Sequence, residues 1–197
     1  MTPINKPPAR NTAMMLDIET LGLNPDSYVT QIGVCVADLD SRKFMVEPTN
    51  FWTTQEQPGK MDFGTIQWWM QQDRKVAESV FNAKVARNSA EDVFAYLKGM
   101  CSAYQCTVWA SPAMFDLPIL THYFGGRKPW KYNDERCLMT LYKLLDPQRG
   151  LAPPKNEMAH DAASDARWQM EYLFNLHEKL QAMKTAYAPP AMSGLPV

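Results

Sequence analysis

Short apolar runs and longer runs with helical spacing alternate along most of the chain. Residues 13–18 and 107–110 are compact apolar runs, which are typical of strands buried on both faces. Residues 29–39 are rich in β-branched side chains, and residues 43–46 with their flanks are predicted to pair with them as a meander. The pattern therefore predicts three consecutive strands followed, much later in the chain, by a fourth.

Apolar residues recur at helical spacing in most of the remaining segments. Ser89 is a cap-like residue before one such run, and Pro118 is compatible with the first turn of another. The predicted helices span residues 65–72, 89–100, 116–124, 134–145 and 161–183. Three strands, helices, a strand and further helices are the order of an α/β domain, in which helices pack on the faces of a mixed sheet.

The composition is that of one globular domain. The chain has 197 residues, of which 46% are hydrophobic and 21% charged. No apolar run approaches the roughly 20 residues of a membrane helix, and the first residues lack the apolar stretch of a secretory signal. Proline-rich residues 1–11 and 185–197 are predicted to be a flexible arm and tail. Four scattered cysteines are typical of reduced thiols in a cytoplasmic protein.

The net charge of −1 does not favour a broad basic face for nucleic acid. However, divalent cations bound by acidic residues would make the local potential more positive than the sequence indicates. Net charge therefore does not decide the class of partner. Arg127, Lys128 and Lys131 lie in a loop around an aromatic residue, and this loop is predicted either to contact phosphate or to be solvated.

Two carboxylates flank Ile18 at the end of the first predicted strand. Because alternate residues of a strand point to the same face, Asp17 and Glu19 are predicted to project together. Adjacent carboxylates repel unless a cation lies between them, and Mg²⁺ prefers oxygen ligands. The alternative is a solvated strand end that turns into a loop.

Further candidate residues lie where two predicted helices begin. Asp116 follows the 107–110 strand and is predicted to ligate metal or to cap a helix. His160 and Asp165 lie five residues apart at the start of the last helix, where Asp165 is predicted to reach a metal and His160 to face water. The alternative is an exposed histidine beside an aspartate that interacts favourably with the helix dipole. Asp161 is predicted to cap the helix or face solvent.

The segments LDIETLGL, MFDLPIL and HDAASDA occur in this order and at a spacing that resembles the DEDD 3′–5′ exonucleases. The resemblance runs from residue 13 to 180 and is to the DEDDh branch, which has a catalytic histidine and includes ribonuclease T, oligoribonuclease and polymerase proofreading subunits. It implies a ribonuclease H-like mixed sheet flanked by helices, with an exonuclease domain at residues 12–184. The segment FGTIQWWMQQ is similar to a small phage and prophage exonuclease group, some of whose members are described as exoribonucleases.

The resemblance also implies the chemistry. Four carboxylates would bind two Mg²⁺ or Mn²⁺ ions, and His160 would take the proton from the attacking water. Nucleoside 5′-monophosphates would be released from the 3′ end of single-stranded RNA or DNA, with the choice of sugar left open. The ligands implied are Asp17, Glu19, Asp116 and Asp165.

The resemblance places substrate contacts beside these ligands. Trp68 or Trp69 would stack on a base, although tryptophans on a helical stripe are more often core residues. The implied contacts are Thr20, Leu21, Gly22, Phe115, Trp68 and Trp69. Pro112 stands where many family members have an asparagine.

The sequence also leads to expectations about binding partners, cellular location and alternative functions. No membrane partner is expected, and a homodimer and a location in the cytoplasm of a bacterium or phage-infected cell are predicted. A catalytically silent nucleic-acid-binding module of the same fold remains an alternative. Another two-metal phosphoesterase is a third, although such enzymes use more histidine ligands and the chain has three histidines in total.

Overall fold

The computed structural model describes residues 11–81 and 87–187, and these residues form a six-stranded mixed sheet with helices on both faces. The sheet order is β4-β3-β2-β1-β5-β6. The predicted arm at residues 1–11 and tail at 185–197 lie largely outside the described residues. The strands are β1 (Thr12–Thr20), β2 (Val29–Asp38), β3 (Lys43–Thr53), β4 (Arg87–Asn88), β5 (Thr107–Ala110) and β6 (Glu135–Cys137).

Six helices accompany the sheet in these two described segments. They are α1 (Phe63–Met70), α2 (Arg74–Phe81), α3 (Ala90–Tyr104), α4 (Ala113–Tyr123), α5 (Leu138–Leu145) and α6 (Ala162–Ala186), with a short 3₁₀ turn at Tyr132–Asp134. None of the helices described is long and apolar enough to cross a bilayer. The predicted α/β class, the meander and the strand at residues 107–110 are confirmed.

Three details of the predicted elements are wrong. Residues 134–145 do not form one helix, because Glu135–Cys137 adds a parallel strand to β5 before α5 begins at Leu138. The backbone hydrogen bonds of that strand outweigh the local helical pattern. Helix α4 begins at Ala113 rather than at Asp116, which leaves Pro118 in its second turn. Helix α2 and strand β4 were not predicted.

Strand β1 lies inside the sheet and is buried on both faces. It pairs antiparallel with β2 and parallel with β5. Met14, Leu16 and Ile18 point into the core under α3 and α4, whereas Ala13 and Met15 point into the core under α5 and α6. Asp17 and Glu19 continue the second set of alternate positions, so both face the side of the sheet on which α6 packs.

The first turn of α6 lies directly on β2 at Gly33. A Cβ atom at this glycine would lie 2.0 Å from the carbonyl oxygen of Ala162, so the close approach requires a residue without a side chain. The side-chain Oε1 of Gln31 accepts the Ala162 N–H at 2.9 Å, and the side-chain Oδ1 of Asn50 accepts the Ala163 N–H at 2.6 Å. Because Gly33 pairs with Asp17, this docking brings the start of α6 to the acidic end of β1.

Candidate active site

All four carboxylates and the histidine singled out in the sequence line one cavity of about 380 Å³. Asp17 and Glu19 come from the end of β1, where they are 9% and 8% exposed. Asp116 comes from the first turn of α4 and is 3% exposed, and Asp165 comes from the first turn of α6. Four acidic side chains that are distant in sequence therefore share one largely buried space.

Burial makes ionisation of these carboxyls unfavourable. It raises the pKa of Asp116 to about 7. The pKa of Asp17 is raised well above its usual value, first by burial and then by the charges of Asp116, Glu19 and Asp165. Burial, followed by the charges of Asp165 and Asp116, likewise raises the pKa of Glu19. When they are ionised, these clustered carboxylates carry more negative charge than the neighbouring side chains neutralise.

Unpaired oxygen atoms are available in the same space. Among the described residues, Asp116 Oδ2 and Gln169 Oε1 are buried without a hydrogen-bond partner. Asp17 Oδ1 accepts a hydrogen bond from Gln169 Nε2 at 2.6 Å. Glu19, His160 and Asp165 each offer a ligand atom within 4.8 Å of the other two. Clustered carboxylate oxygens of this kind fit hard divalent cations such as Mg²⁺ or Mn²⁺.

The loop before α6 orients Asp165. Its Oδ2 accepts the backbone N–H of His160 at 2.7 Å, and its Oδ1 accepts from Asn156 Nδ2 at 2.7 Å. His160 adopts a φ of 69°, a left-handed conformation in which histidine is enriched. Asp161 accepts the Ser164 N–H at 3.1 Å, so the predicted helix cap is confirmed.

The indole ring of Trp68 contacts the imidazole of His160. The two rings meet edge to face, with centroids 4.9 Å apart. Trp68, Thr20, Leu23 and Phe115 belong to the lining of a second, mostly apolar cavity of about 600 Å³. This apolar cavity shares Glu19, Phe115 and His160 with the carboxylate cavity, so the two spaces adjoin at the acidic residues.

Two of the expected substrate contacts are almost fully buried. Leu21 is 7% exposed and packs with buried Trp69, so the structure revises its expected place under a base. Trp69 belongs to the lining of the apolar cavity but is only 3% exposed, and its Nε1–H donates to the carbonyl of Thr20 at 2.9 Å. Gly22 lies in the adjoining turn, where its carbonyl accepts the Thr20 hydroxyl. Leu23, which is 74% exposed, lines the apolar cavity instead.

Sequence reasoning missed the residues that support the carboxylates. Gln169 lies one helical turn after Asp165, so its spacing could have identified it as a neighbour of the acidic site. Asn156, Gln31 and Asn50 lie in a loop or on other strands, and no sequence periodicity connects them to the site. Arg149 also lines the carboxylate cavity, although it belongs to no motif.

The structure also describes Pro112 and the basic loop that contains Arg127 and Lys128. Pro112 occupies the extended position just before α4, and Asp116 still reaches the carboxylate cavity. Arg127 forms an ion pair with Glu91, and Lys128 pairs with Glu135 at 2.6 Å. Neither residue of this basic loop lines the carboxylate cavity or the apolar cavity.

The raised pKa values predict that the metal-free fold loses stability as the pH rises. The folded-state pKa of Asp116 is about 7, above that of an unfolded aspartate, so the folded state binds more protons between about pH 4 and pH 7. This stabilisation is full below about pH 4 and is lost as the pH rises through about 7. We expect the free energy of unfolding in EDTA, measured with urea, to fall by roughly 4 kcal/mol across this range.

Asp116→Asn should reduce this dependence, whereas Asp73→Asn on the surface should retain it in full. The other carboxyls with a raised pKa account for the part that remains. Mg²⁺ added at pH 8 should restore stability in the unmodified protein, since cations bound only by the folded state stabilise it. A dependence on pH that is equally steep in Asp116→Asn would contradict the role given to burial.

Comparison with known proteins identifies the family. A model of the 3′–5′ exoribonuclease Rv2179c-like domain matches residues 12–176. No curated protein matches the chain in sequence. Exonuclease I has a similar structure, with a TM-score of 0.65 and 14% identity over 90% of this chain and 43% of that chain. The zinc-bound complex of Escherichia coli exonuclease I with single-stranded DNA has the same TM-score and identity, over 90% of this chain and 42% of that one.

The structural similarity shows the fold, and this chain spans less than half the length of those exonucleases. The sheet order, the flanking helices and this similarity confirm the ribonuclease H-like architecture. The family model covers most of the chain and includes all five residues of the acidic cavity named above. The chain therefore belongs to the Rv2179c-like 3′–5′ exoribonuclease domain family, a family of the DEDD 3′–5′ exonuclease type.

Proposed function

We propose that this exonuclease removes nucleotides one at a time from the 3′ end of single-stranded RNA by a two-metal mechanism. The observation that carries the proposal is the convergence of Asp17, Glu19, Asp116 and Asp165 in one cavity beside His160. Burial raises the pKa of each of these carboxyls. Bound divalent cations would compensate the excess negative charge, and the family description favours RNA.

Each side chain has a distinct task in this mechanism. Two bound Mg²⁺ or Mn²⁺ ions would supply Lewis acidity at the scissile phosphate and lower the pKa of water. Asp17, Glu19, Asp116 and Asp165 would hold them with oxygen ligands. His160 takes the proton from the attacking water, and Gln169 and Asn156 hold the carboxylates of Asp17 and Asp165 in place by the hydrogen bonds described above. The product is a nucleoside 5′-monophosphate.

The apolar cavity is the proposed site for the terminal nucleoside. Trp68 is 40% exposed and offers a ring surface to a base, with Leu23 and Phe115 as further apolar contacts. Thr20 and Trp69 also belong to the lining of this cavity, and Leu21 and Gly22 support it from behind. This assignment uses Trp68 rather than Trp69 for stacking, because only Trp68 has the exposed area that stacking needs.

Trp68→Leu is expected to raise KM for oligonucleotides about tenfold, since stacking on one aromatic side chain contributes roughly 1–3 kcal/mol. Steady-state kinetics on a single-stranded 10-mer would measure the change. Phe63→Leu is the control, because Phe63 is 72% exposed on the same helix but does not line the apolar cavity. An unchanged KM in Trp68→Leu would remove this residue from the binding site.

The cellular setting is also part of the proposal. Four free thiols occur among the described residues, which is typical of a reducing compartment such as the bacterial cytoplasm. We propose a homodimer as the working form. Sedimentation velocity would test it, and a mass equal to one chain at micromolar concentration would contradict it.

The decisive experiment is incubation of the purified protein with Mg²⁺ or Mn²⁺ and 5′-labelled single-stranded RNA and DNA of the same sequence. A ladder that shortens from the 3′ end, faster on RNA and absent with EDTA, is the expected result. Faster cleavage of DNA would overturn the choice of sugar. Intact oligonucleotides under every metal condition would overturn the proposed activity.

A further inference from the structure

A single arginine, Arg149, lies in the lining of the otherwise acidic carboxylate cavity. Its guanidinium carbon lies over the rings of Tyr142, Trp168 and Tyr172, at 5.1, 5.4 and 5.8 Å from their centroids. Tyr142 stacks on Tyr172 with centroids 5.5 Å apart, and Trp168 meets Tyr172 edge to face at 5.7 Å. The three rings therefore form an aromatic platform for one cation.

The loop that carries Arg149 is built to present this side chain. Asp146 is buried, and its carboxylate accepts the N–H groups of Gly150 at 3.0 Å and Leu151 at 2.9 Å. The same carboxylate accepts the hydroxyl of Tyr172 at 2.8 Å, which ties the loop to the platform. Arg149 itself has a φ of 57°, so the chain turns sharply at this residue. The arginine is positioned by the fold, not by a charged partner.

The charge of Arg149 remains available. Other arginines on the surface pair with carboxylates, as Arg42 does with Glu178 at 2.9 Å and Arg167 with Glu171 at 3.0 Å. In the part of the chain that is described, no carboxylate lies within ion-pair distance of Arg149. The guanidinium of Arg149 also lies within hydrogen-bond reach of the Tyr172 hydroxyl. A planar guanidinium has five N–H groups, so this contact leaves others that can bind a phosphate with two parallel hydrogen bonds.

We propose that Arg149 binds the phosphodiester group immediately 5′ to the scissile bond. This inference rests on the proposed function, in which the apolar cavity takes the terminal nucleoside and the carboxylates take the scissile phosphate. Arg149 lines the carboxylate cavity but not the apolar cavity. The strand therefore runs from Trp68 over the carboxylates to Arg149, which meets the next phosphate and fixes the register of the strand.

A pair of dinucleotides isolates this contact. A ribodinucleotide with a 5′-phosphate carries the proposed ligand of Arg149, whereas the same dinucleotide with a 5′-hydroxyl lacks it. We expect the 5′-phosphate to raise kcat/KM of the unmodified protein about tenfold, the effect of one charge-assisted contact. In Arg149→Gln this advantage should fall below about twofold, and Arg149→Lys should keep part of it.

Arg42→Gln is the matched control. Arg42 also lies over an aromatic ring, that of Phe174 at 5.4 Å, but it does not line the carboxylate cavity. Its variant should keep the full advantage of the 5′-phosphate. An advantage that is equally large in Arg149→Gln, or an equal loss on both dinucleotides with the advantage intact, would overturn the assignment.

Equilibrium binding separates this inference from the proposed activity. The affinity for a fluorescent single-stranded oligonucleotide can be measured by anisotropy in Ca²⁺ over a range of salt concentrations. Loss of one phosphate contact in Arg149→Gln should reduce the slope of log affinity against log salt by about 0.7. An unchanged slope would overturn the Arg149 assignment even if the protein is an active nuclease. Absence of cleavage with a reduced slope would overturn only the activity.

Discussion

Asp17→Asn is expected to abolish exonuclease activity while the protein remains folded. The substitution removes one charged ligand from the carboxylate cavity, and we expect kcat/KM to fall by more than roughly 10³-fold. The neighbouring amide of Gln169 donates to Asp17 Oδ1, and its own Oε1 has no partner. Rotation of the Gln169 amide by half a turn would let Oε1 accept from the new amide, so the packing is preserved.

The metal-free stability of Asp17→Asn should equal or exceed that of the unmodified protein. Burial and three neighbouring carboxyls raise the pKa of Asp17. Its ionised form therefore destabilises the fold when no cations are bound. Urea unfolding in EDTA at pH 8 would measure this. A variant that unfolds but keeps full activity per folded molecule would contradict the assignment of Asp17 as a ligand.

A matched control exists one turn before Asp165. Asp161 caps α6 and accepts from Asn50 Nδ2 at 2.9 Å. Because an asparagine also caps helices, Asp161→Asn should retain activity within about tenfold. A loss as large as that of Asp17→Asn would mean that general negative charge, not ligation by particular carboxylates, supports the reaction.

His160→Ala is expected to lower turnover by about 10²–10⁴-fold, because the substitution removes the proposed general base. The backbone N–H of His160, not its ring, donates to Asp165. The substitution therefore keeps the hydrogen bond that orients this proposed metal ligand. Single-turnover rates at saturating Mg²⁺ would report the chemical step, and the Mg²⁺ dependence should stay close to that of the unmodified protein.

Two further variants make the His160 result specific. Asparagine tolerates the left-handed backbone conformation of this position, so His160→Asn should fold normally and show the same loss of turnover. His177→Ala is the histidine control, because its ring contacts Asp40 at 2.9 Å and lies outside both cavities. Unchanged turnover in His160→Asn would exclude His160 as the base.

Regular patterning made several elements predictable from the sequence. The apolar run of β1 is buried along its whole length, and alternation alone places Asp17 and Glu19 on one face. Helix α6 was predicted at residues 161–183 and spans Ala162–Ala186. These elements are long, and their polar and apolar positions follow the period of the structure they form.

Short and irregular elements were not predictable in the same way. Strand β6 has three residues and strand β4 two, so neither has a period to detect, and their pairing partners are distant in sequence. Helix α4 begins at Ala113, three residues before its predicted start, and Pro112 occupies the N-cap position. The exposed tryptophan could not be told from the buried one, since Trp68 and Trp69 are adjacent and both belong to α1.

From the sequence alone, the resemblance of three motifs to the DEDD exonucleases singled out the four carboxylates and the histidine, and local periodicity predicted the order of most of the elements that carry them. Tertiary structure alone decided which side chains meet at the site. Gly33 allows α6 to approach β2, Asp116 reaches the end of β1, and Arg149 reaches the carboxylate cavity from a loop without a motif. Such contacts depend on close packing between segments far apart in the chain, and no local pattern records them.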